Sequence, residues 1–572
     1  MLAGRRRPRN AIPSDYYMRI EALQLPSRGV LFRFWKSIVP MAPVGQIPAY
    51  NLAPMGVDAI ARSLEDFLAE APNAVVVEGG EVIFDFVSAK YACSAERGKC
   101  LLHLWSEERN TVRRVLDSEM KNGALRLTVQ RFGQARPGVM EICRDRDRRT
   151  PTARKAARAS YQRLLERLLK RSFPELTPGR MSTAADLERS FGPVYTRGEL
   201  RRGNSCWAVL GVNAQEPQAA IDASVTFGLL WLDACRSHSR GVVEGLKLFL
   251  PAGSSAIARE RMALLNHQAA RFELYELDER EGSIEPLDAR DRGNIATRLA
   301  HAPNQKMVRQ RFAAAIARAA ELLPEAETHV LSSTELAFRL HGLEFARAQV
   351  AQGPGFRNVE GIVFGAGPYQ ATLTDENAAE FAGFVRAVRE ARQPNASHTH
   401  PLWRMQPERW LESLVARDVS ALDSRLDPAC AYSQVPAFSA SDRAMIDVLT
   451  LTRERRLAVV ELKADEDIHL PLQGLDYWAR VEWHRARGEF QKFGYFPGVE
   501  IAPAPPLLFL VAPALHVHPA TDTLLRYIAP EIECELIGIG EKWREGIQVV
   551  FRKRRQNLSA VDSLRRAESK GG

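Results

Sequence analysis

Two carboxylates and a lysine lie close together at the end of a predicted β-hairpin. AMIDVLTL (444–451) and LAVVELK (457–463) both have strand patterns, and a charged turn, TRERR, separates them. If the three central residues of the turn form the loop, the numbers of paired residues sum to 908, so Asp447 faces Glu461. Lys463 lies two residues beyond Glu461, on the same strand face. The hairpin therefore groups two carboxylates and an amine on an otherwise apolar sheet.

This grouping needs a compensating charge, because two carboxylates a few ångströms apart repel each other and lose hydration when buried. A divalent cation would compensate both, and oxygen ligands select Mg²⁺ or Mn²⁺ over zinc. A neighbouring lysine can hold an attacking water or stabilise the charge that develops on a phosphate. The residue types thus indicate metal-dependent phosphate chemistry, with a solvated hairpin end and a simple salt bridge as the alternative.

The E-x-K pattern alone is not specific, since the chain also contains EMK (119–121) and ESK (568–570). Only Glu461-Leu462-Lys463 follows an apolar strand that has an aspartate on the preceding, paired strand. Helical and apolar patterns surround this hairpin in a regular order. We predict helices at 407–426, 473–488 and 521–529, and strands at 505–513, 534–540 and 547–554.

The segment resembles the PD-(D/E)xK, or restriction-endonuclease-like, nuclease superfamily. It is most similar to the branch whose core reads helix, "iDvL" strand, "vvELK" strand and a helix opening with Gln. The matching residues here are Trp410-Leu411-Glu412, Met445-Ile446-Asp447-Val448-Leu449, Val459-Val460-Glu461-Leu462-Lys463 and Gln473-Gly474-Leu475-Asp476-Tyr477. Ile446 replaces the proline that usually precedes the aspartate. The resemblance covers about 150 of the 572 residues, and the first 400 match no family that we can name.

The resemblance implies a role for each matching side chain. Asp447 and Glu461 would bind Mg²⁺ or Mn²⁺, and Lys463 would be the catalytic lysine. Gln473 would line the site from the following helix. Glu412, on the first helix, would add a metal or water contact, although Glu408 lies one turn earlier on the same face and leaves this last assignment open.

Charge is distributed unevenly along the chain. Residues 401–572 contain 23 Lys+Arg and 24 Asp+Glu, a net charge of −1. Because the net charge of the whole chain is +9, residues 1–400 carry +10. Residues 144–171 alone hold 11 basic and 3 acidic side chains, and we name Arg154, Lys155 and Arg158 as candidate contacts to nucleic-acid phosphates. The alternative is a helix face that is merely solvated.

The sequence lacks the motifs of several other enzyme classes. There is no G-x-x-x-x-G-K-[ST], G-x-G-x-x-G, H-E-x-x-H or G-x-S-x-G motif. The seven cysteines form no C-x-x-C pair, which favours reduced thiols. The basic first ten residues precede no apolar stretch, and no apolar run approaches the roughly 20 residues of a membrane span. We therefore expect a cytoplasmic protein without a membrane partner.

The fold class predicted is a multidomain α/β protein. An N-terminal β-rich domain (1–178) ends in a basic helix at 152–171, and a mixed α/β domain of unknown role follows at 179–392. In this middle domain we predict helices at 306–322, 333–350 and 376–391. A polar, proline-bearing linker (393–407) leads to the restriction-endonuclease-like domain (408–556), a mixed central sheet flanked by helices, and a polar tail (557–572) ends the chain.

The function predicted is a metal-dependent endonuclease or exonuclease, with DNA favoured over RNA as the substrate. Such a site reads no base sequence by itself, so the N-terminal 390 residues would supply substrate binding or gating. Two alternatives remain open: an RNA nuclease, and a non-catalytic nucleic-acid-binding or sensor protein, for example in nucleic-acid defence, that retains the core. The N-terminal domains also leave room for a homo-oligomer or a protein partner.

Overall fold

The computed structural model of the chain divides into four units, each built around a β-sheet. The residues described are 57–71, 74–78, 81–86, 90–96, 99–105, 110–121, 123–130, 138–144, 151–186, 189–291, 295, 297–352, 358–366, 369–439 and 445–554. The predicted polar tail (557–572) and the first 56 residues lie outside these ranges. The sheets of the four units comprise seven, six, five and seven strands within this part of the chain.

The N-terminal unit is an antiparallel sheet, as the alternating patterns predict, with one helix packed on it that the sequence analysis did not predict. The apolar side of helix α1 and one face of the sheet enclose a core that includes Leu64, Leu102 and Leu127. The strand order is β2-β1-β7-β6-β5-β4-β3. The elements are α1 (Val57–Glu70), β1 (Val75–Glu78), β2 (Glu81–Asp85), β3 (Lys90–Glu96), β4 (Lys99–Trp105), β5 (Asn110–Lys121), β6 (Ala124–Gln130) and β7 (Gly138–Cys143).

The second unit has a mixed sheet of order β13-β12-β11-β10-β9-β8, in which the three central strands are parallel. The predicted basic helix is present and packs on one face of this sheet through Leu165 and Leu169. Two helices pack on the other face. The elements are α2 (Pro151–Ser172), β8 (Thr177–Pro178), β9 (Thr196–Arg202), β10 (Ser205–Gly211), α3 (Gln218–Asp222), α4 (Ser224–His238), β11 (Val242–Pro251), α5 (Ala256–Met262), β12 (Arg271–Asp278) and β13 (Ser283–Leu287).

The third unit is a five-stranded antiparallel sheet packed against helices, and it corrects one of our predictions. Residues 333–350, predicted as a helix, form two strands joined at His341-Gly342, both of which have positive φ. The apolar residues of this segment also alternate with period two, and the turn decides between the two patterns. The elements are α6 (Gln305–Arg311), α7 (Ala313–Leu322), β15 (Glu327–Ser332), β16 (Glu335–Leu340), β17 (Leu343–Gln352), β18 (Asn358–Ala366), β19 (Tyr369–Thr372) and α8 (Ala378–Ala391).

The C-terminal unit has a mixed sheet of order β14-β20-β21-β22-β23-β24-β25. The strands β22, β23 and β24 are parallel, and the others pair antiparallel. Its first strand comes from far earlier in the chain. The elements are β14 (Thr297–Leu299), α9 (Pro401–Arg404), α10 (Pro407–Arg417), β20 (Tyr432–Ser439), β21 (Met445–Leu451), β22 (Leu457–Leu462), α11 (Leu470–Ala486), α12 (Glu489–Lys492), β23 (Leu507–Pro513), α13 (Thr521–Tyr527), β24 (Cys534–Ile539) and β25 (Val549–Arg554).

The second and C-terminal units share one continuous apolar core. Helices α4 and α5 pack against α11 and α13, so side chains such as Leu229 and Leu475 belong to the same cluster. The segment predicted as a linker (393–407) is also packed, because the buried guanidinium of Arg392 donates hydrogen bonds to the carbonyl groups of Leu402 and Met405. The units are therefore joined more closely than the composition of the chain suggests.

The coarse fold class is confirmed, since the protein is a mixed α/β chain of several sheet-based units. The segment treated as one middle domain (179–392) contains two sheets, with β14 contributed to a third. No helix in the described ranges is both long enough and apolar enough to span a bilayer.

Candidate active site

The hairpin has the register that the sequence predicts. Val448 pairs with Val460 and Leu451 with Leu457, so the numbers of paired residues sum to 908. The ladder ends where Asp447 and Glu461 would pair next. There the Oδ2 atom of Asp447 accepts a hydrogen bond of 3.0 Å from the backbone N–H of Leu462. The aspartate thus replaces a backbone acceptor at the open end of the hairpin and is fixed against the second strand.

Glu461 is buried without a full set of partners. Its side chain is 2% exposed, and its Oε2 atom has no hydrogen-bond partner in the protein. Burial and the nearby charge of Asp447 raise the pKa of Glu461 well above its usual value, and burial also raises the pKa of Asp447. Two carboxyl groups with raised pKa values at one position are energetically unfavourable unless a cation lies beside them.

Lys463 supplies one such cation. Its Nζ atom lies 3.3 Å from Glu461 Oε1, 3.9 Å from Glu408 Oε1 and 4.0 Å from Asp467 Oδ2. Burial alone would lower the pKa of Lys463, but the surrounding carboxylates outweigh burial, and the pKa is raised. The backbone N–H of Lys463 donates to Val511 of β23 at 2.9 Å, so parallel pairing holds this residue in place beyond the end of β22. Lys463 is therefore charged and fixed beside the carboxylates.

Helix α11, which carries Gln473, passes close to Glu461. Glycine at 474 permits this approach, because an added Cβ atom would lie 2.4 Å from Leu510 Cδ2 and 3.5 Å from Glu461 Cβ. The Oε1 atom of Gln473 is buried and has no partner in the protein. Unpaired buried amide oxygens are uncommon in folded proteins, so this atom is available to a ligand or a water molecule.

The structure distinguishes the two glutamates of helix α10. Glu412, the residue assigned from the resemblance, is buried and accepts hydrogen bonds from Ser433, from Gln434 Nε2 at 2.6 Å and from Arg409 Nη1 at 2.9 Å. These three partners occupy both of its oxygens. Glu408 instead reaches Lys463, as its distance shows. The helix-1 glutamate that faces the lysine is thus the one that we left as the alternative.

Three further side chains, which the sequence analysis did not single out, surround the site. Tyr477 lies one helical turn after Gln473, and burial followed by the charges of Glu461 and Asp447 raises the pKa of its hydroxyl group. Asp467 faces Lys463, and the positive charge of Arg409 acts on Asp447. The four-residue spacing of Gln473 and Tyr477 on one helix was the only available signal for any of them.

The basic strip on helix α2 is partly occupied by internal contacts. Arg158 donates to both oxygens of Glu216, at 2.6 and 2.9 Å, and its side chain is 16% exposed. This ion pair attaches the helix to the second unit. Lys155 is exposed, and Arg154 is partly buried. Of the three candidate phosphate contacts, Arg158 is thus already paired with a carboxylate, and none of the three lies among the contacts described for the hairpin.

The donor set fits a hard divalent cation. No group of three or more His, Cys, Asp or Glu side chains in the described residues is arranged as a metal cage. Mg²⁺ does not require one, because it is commonly held by one or two carboxylates, with water and substrate phosphates completing its coordination. Asp447 and Glu461 offer carboxylate oxygens only, and the unpartnered Oε2 atom of Glu461 is one free ligand position.

No protein-family model matches the sequence, and no curated protein matches it.

Proposed function

We propose that the protein is a Mg²⁺- or Mn²⁺-dependent nuclease that hydrolyses phosphodiester bonds, with DNA as the favoured substrate. The observation that carries this proposal is the buried, incompletely hydrogen-bonded Glu461 beside Asp447, with Lys463 at 3.3 Å. A site that no longer binds a cation has no reason to retain two carboxylates with raised pKa values in its interior. This favours an enzyme over a non-catalytic protein that keeps the core for stability.

The order of the elements around the site supports the same proposal. Helix α10 precedes the hairpin β21–β22, helix α11 follows it, and β23 then pairs parallel to β22. Helix, hairpin, helix and strand is the order of the PD-(D/E)xK core that the sequence resembles. The aspartate lies at the start of the first hairpin strand, and E-x-K lies at the end of the second. The two are therefore next to each other in space.

The side chains of the site would divide the chemistry among them. Asp447 and Glu461 would hold the cation, which when bound supplies a Lewis-acid charge that polarises the scissile phosphodiester. Lys463 would donate a hydrogen bond to a phosphate oxygen and stabilise the negative charge that increases in the transition state. The amide of Gln473 would orient the phosphate or the attacking water, and the walls formed by α11 would exclude bulk water from the buried carboxylates.

The second unit is placed to influence this site. Arg261 of helix α5 donates to both oxygens of Asp476, at 3.0 and 2.7 Å, and Asp476 lies between Gln473 and Tyr477 on helix α11. His469, just before this helix, contacts Thr226 and the ring of Phe227 from helix α4. A change in the position of the second unit would therefore move the helix that covers the site, which supports a gating role for the N-terminal part of the chain.

A cleavage assay with the full-length protein tests the proposal. Supercoiled, linear and single-stranded DNA, and RNA, are incubated with Mg²⁺, with Mn²⁺ or with EDTA. We expect metal-dependent cleavage of DNA that EDTA abolishes. Lys463→Gln should reduce the rate by on the order of 10²–10³-fold, while the exposed Lys492→Gln serves as the matched control. Cleavage that persists in EDTA, or equal rates for the two variants, would contradict the mechanism.

A further inference from the structure

A polar cavity lies on the face of the third sheet that points away from its apolar core. Its volume is about 310 Å³, and its wall includes Arg339, Glu344, Arg347, Gln349 and Arg409. The pairing of β16 with β17 skips Phe345, which is buried in the core. This bulge allows Glu344 and Arg347 to line the same cavity, although strict alternation would point them to opposite faces. The sheet is thus locally distorted so that charged side chains meet.

The cavity wall has an excess of positive charge. Three arginines and one glutamate line it, a net charge of 3 − 1 = +2, while Glu335 and Glu412, outside the wall, pair with Arg347 and Arg409. Glu344 lies 2.7 Å from Arg347 and 3.7 Å from Arg339, so one carboxylate is shared between two guanidinium groups. The Nε atom of Arg339 is buried and has no hydrogen-bond partner. A buried guanidinium group with an unmade hydrogen bond favours an anionic ligand that would complete its contacts.

Arg409 connects the cavity to the candidate active site. It belongs to helix α10, directly after Glu408, whose carboxylate reaches Lys463. Arg409 lines the cavity, and its guanidinium group pairs with Glu412 at 2.9 Å and acts electrostatically on Asp447. A ligand in the cavity would therefore lie next to the helix that carries the helix-1 glutamates of the site.

We infer that this cavity binds a nucleotide phosphate, either within a nucleic-acid strand or in a free nucleotide. Planar guanidinium groups bind phosphate oxygens through paired hydrogen bonds, and three of them surround the cavity. Leu331 and Val363 give the wall an apolar part suited to a base or a sugar, and its glutamines offer both donors and acceptors. The identity of the ligand as a nucleic-acid phosphate rests on the proposed function.

Binding measured in EDTA tests the cavity separately from cleavage. The full-length protein is titrated with a fluorescent single-stranded DNA oligonucleotide, with deoxyadenosine monophosphate and with inorganic phosphate. Arg347→Gln should weaken binding by on the order of tenfold, since it removes a charged hydrogen bond. Glu344→Gln removes the carboxylate that competes with the ligand and should tighten binding severalfold. Arg347 is only partly buried, so its removal is compatible with folding, which thermal unfolding checks.

The ion pair Arg389–Glu325 provides matched controls, because its side chains are 2.6 Å apart and are 54% and 38% exposed on another part of the same unit. Arg389→Gln and Glu325→Gln change the net charge in the same way and should alter binding by less than about twofold. Equal dissociation constants for each variant and its control, with all three probes, would overturn the inference. If Arg347→Gln weakens binding of the mononucleotide as much as binding of the oligonucleotide, the cavity binds free nucleotides. If it weakens binding of the oligonucleotide alone, the cavity binds phosphates within a strand.

The two proposals fail in different ways. If the protein cleaves DNA but its binding does not depend on Arg347 or Glu344, the phosphate-binding cavity is refuted and the nuclease proposal stands. If binding depends on these residues but the protein cleaves no substrate with any metal, the nuclease proposal is refuted and the phosphate-binding cavity stands.

Discussion

At the scale of single residues, the candidate site is a balance of buried charges. Glu461 and Asp447 both have raised pKa values, for which burial is the largest cause, and Lys463 is the cation nearest to Glu461 among the described contacts. Removing one charged side chain from such a cluster raises or lowers the free energy of unfolding, depending on the sign of the charge removed. Losing a carboxylate relieves repulsion, whereas losing the lysine leaves the carboxylates uncompensated.

Thermal unfolding in EDTA checks this balance. We expect Asp447→Asn to raise the melting temperature, because the amide oxygen can still accept from Leu462 N–H while a negative charge is removed. Lys463→Met should lower stability by about 1–3 kcal/mol, because it leaves the buried Oε1 atom of Glu461 without the donor at 3.3 Å. Excess Mg²⁺ should stabilise the parent protein but not Asp447→Asn, since only the parent retains both ligands. Shifts of the two variants in the same direction would show that the groups do not compensate each other.

Gln473 should affect activity and stability in opposite directions. Its buried amide oxygen has no partner in the protein, so Gln473→Leu removes an unsatisfied polar atom and should leave stability equal or higher by about 1 kcal/mol. The same substitution removes the group that would orient the phosphate or water, and we expect cleavage to fall roughly 10–100-fold. Steady-state cleavage rates and melting curves of the same preparation measure both effects. A loss of stability that accompanies the loss of activity would indicate a structural role instead.

At the scale of elements, a tight turn positions helix α10 over the hairpin. Gly342 has φ +74°, and an added Cβ atom would lie 2.0 Å from the carbonyl oxygen of Arg409. His341 stacks on Trp410 at 5.3 Å, and Arg392 donates to the carbonyl of His341. The β16–β17 turn is thus packed directly against the helix that carries Glu408.

Gly342→Ala should therefore cost more than its backbone conformation alone requires. Gly253 is the matched control, because its φ is +73° and no atom lies within 4 Å of its added Cβ. We expect Gly253→Ala to cost about 1 kcal/mol and Gly342→Ala about 2–4 kcal/mol, since the second also pushes the turn away from α10. Denaturant unfolding gives both values, and nuclease activity should fall only for Gly342→Ala. Equal costs would show that the contact with α10 is loose.

At the scale of the whole molecule, the C-terminal unit is not an independent domain. Its sheet includes β14, from residues 297–299, and the face of β21 and β22 that contains Leu449 and Val459 belongs to a core shared with the second unit. The ion pair between Arg261 and Asp476 lies within the same interface. The N-terminal unit, by contrast, encloses an apolar core of its own.

A fragment that starts at the predicted linker should consequently fail to fold. Residues 393–554 would lack β14 and would expose the side of α11 that packs on α4 and α5, a large apolar surface. We expect this fragment to aggregate or to bind a hydrophobic dye, whereas in residues 151–554 the second and C-terminal units should unfold together because they share one core. Calorimetry and dye binding on the two fragments measure the difference. A soluble, cooperatively folding 393–554 fragment would contradict the shared core.

The sequence determined the features that depend on local periodicity and on pairing between neighbouring strands. The register of the hairpin, which brings Asp447 next to Glu461, follows from strand alternation and a short loop, and so does the place of Lys463. The helices and strands that follow the hairpin are equally local, because each has a clear apolar period and a polar boundary. These elements were predictable without any long-range information.

Tertiary structure decided the features that depend on which surfaces meet. Glu408 and Glu412 lie one turn apart on one helix face, so periodicity cannot separate them; the contact with Ser433 and Gln434 selects Glu412 for the interior and leaves Glu408 to Lys463. Residues 333–350 have apolar spacing compatible with either helix or strand, and packing on a five-stranded sheet selects strands. The arginine-lined cavity and the shared core join residues more than 50 positions apart. Contacts of this kind are set by the burial of apolar surface across the whole chain, which no local pattern records.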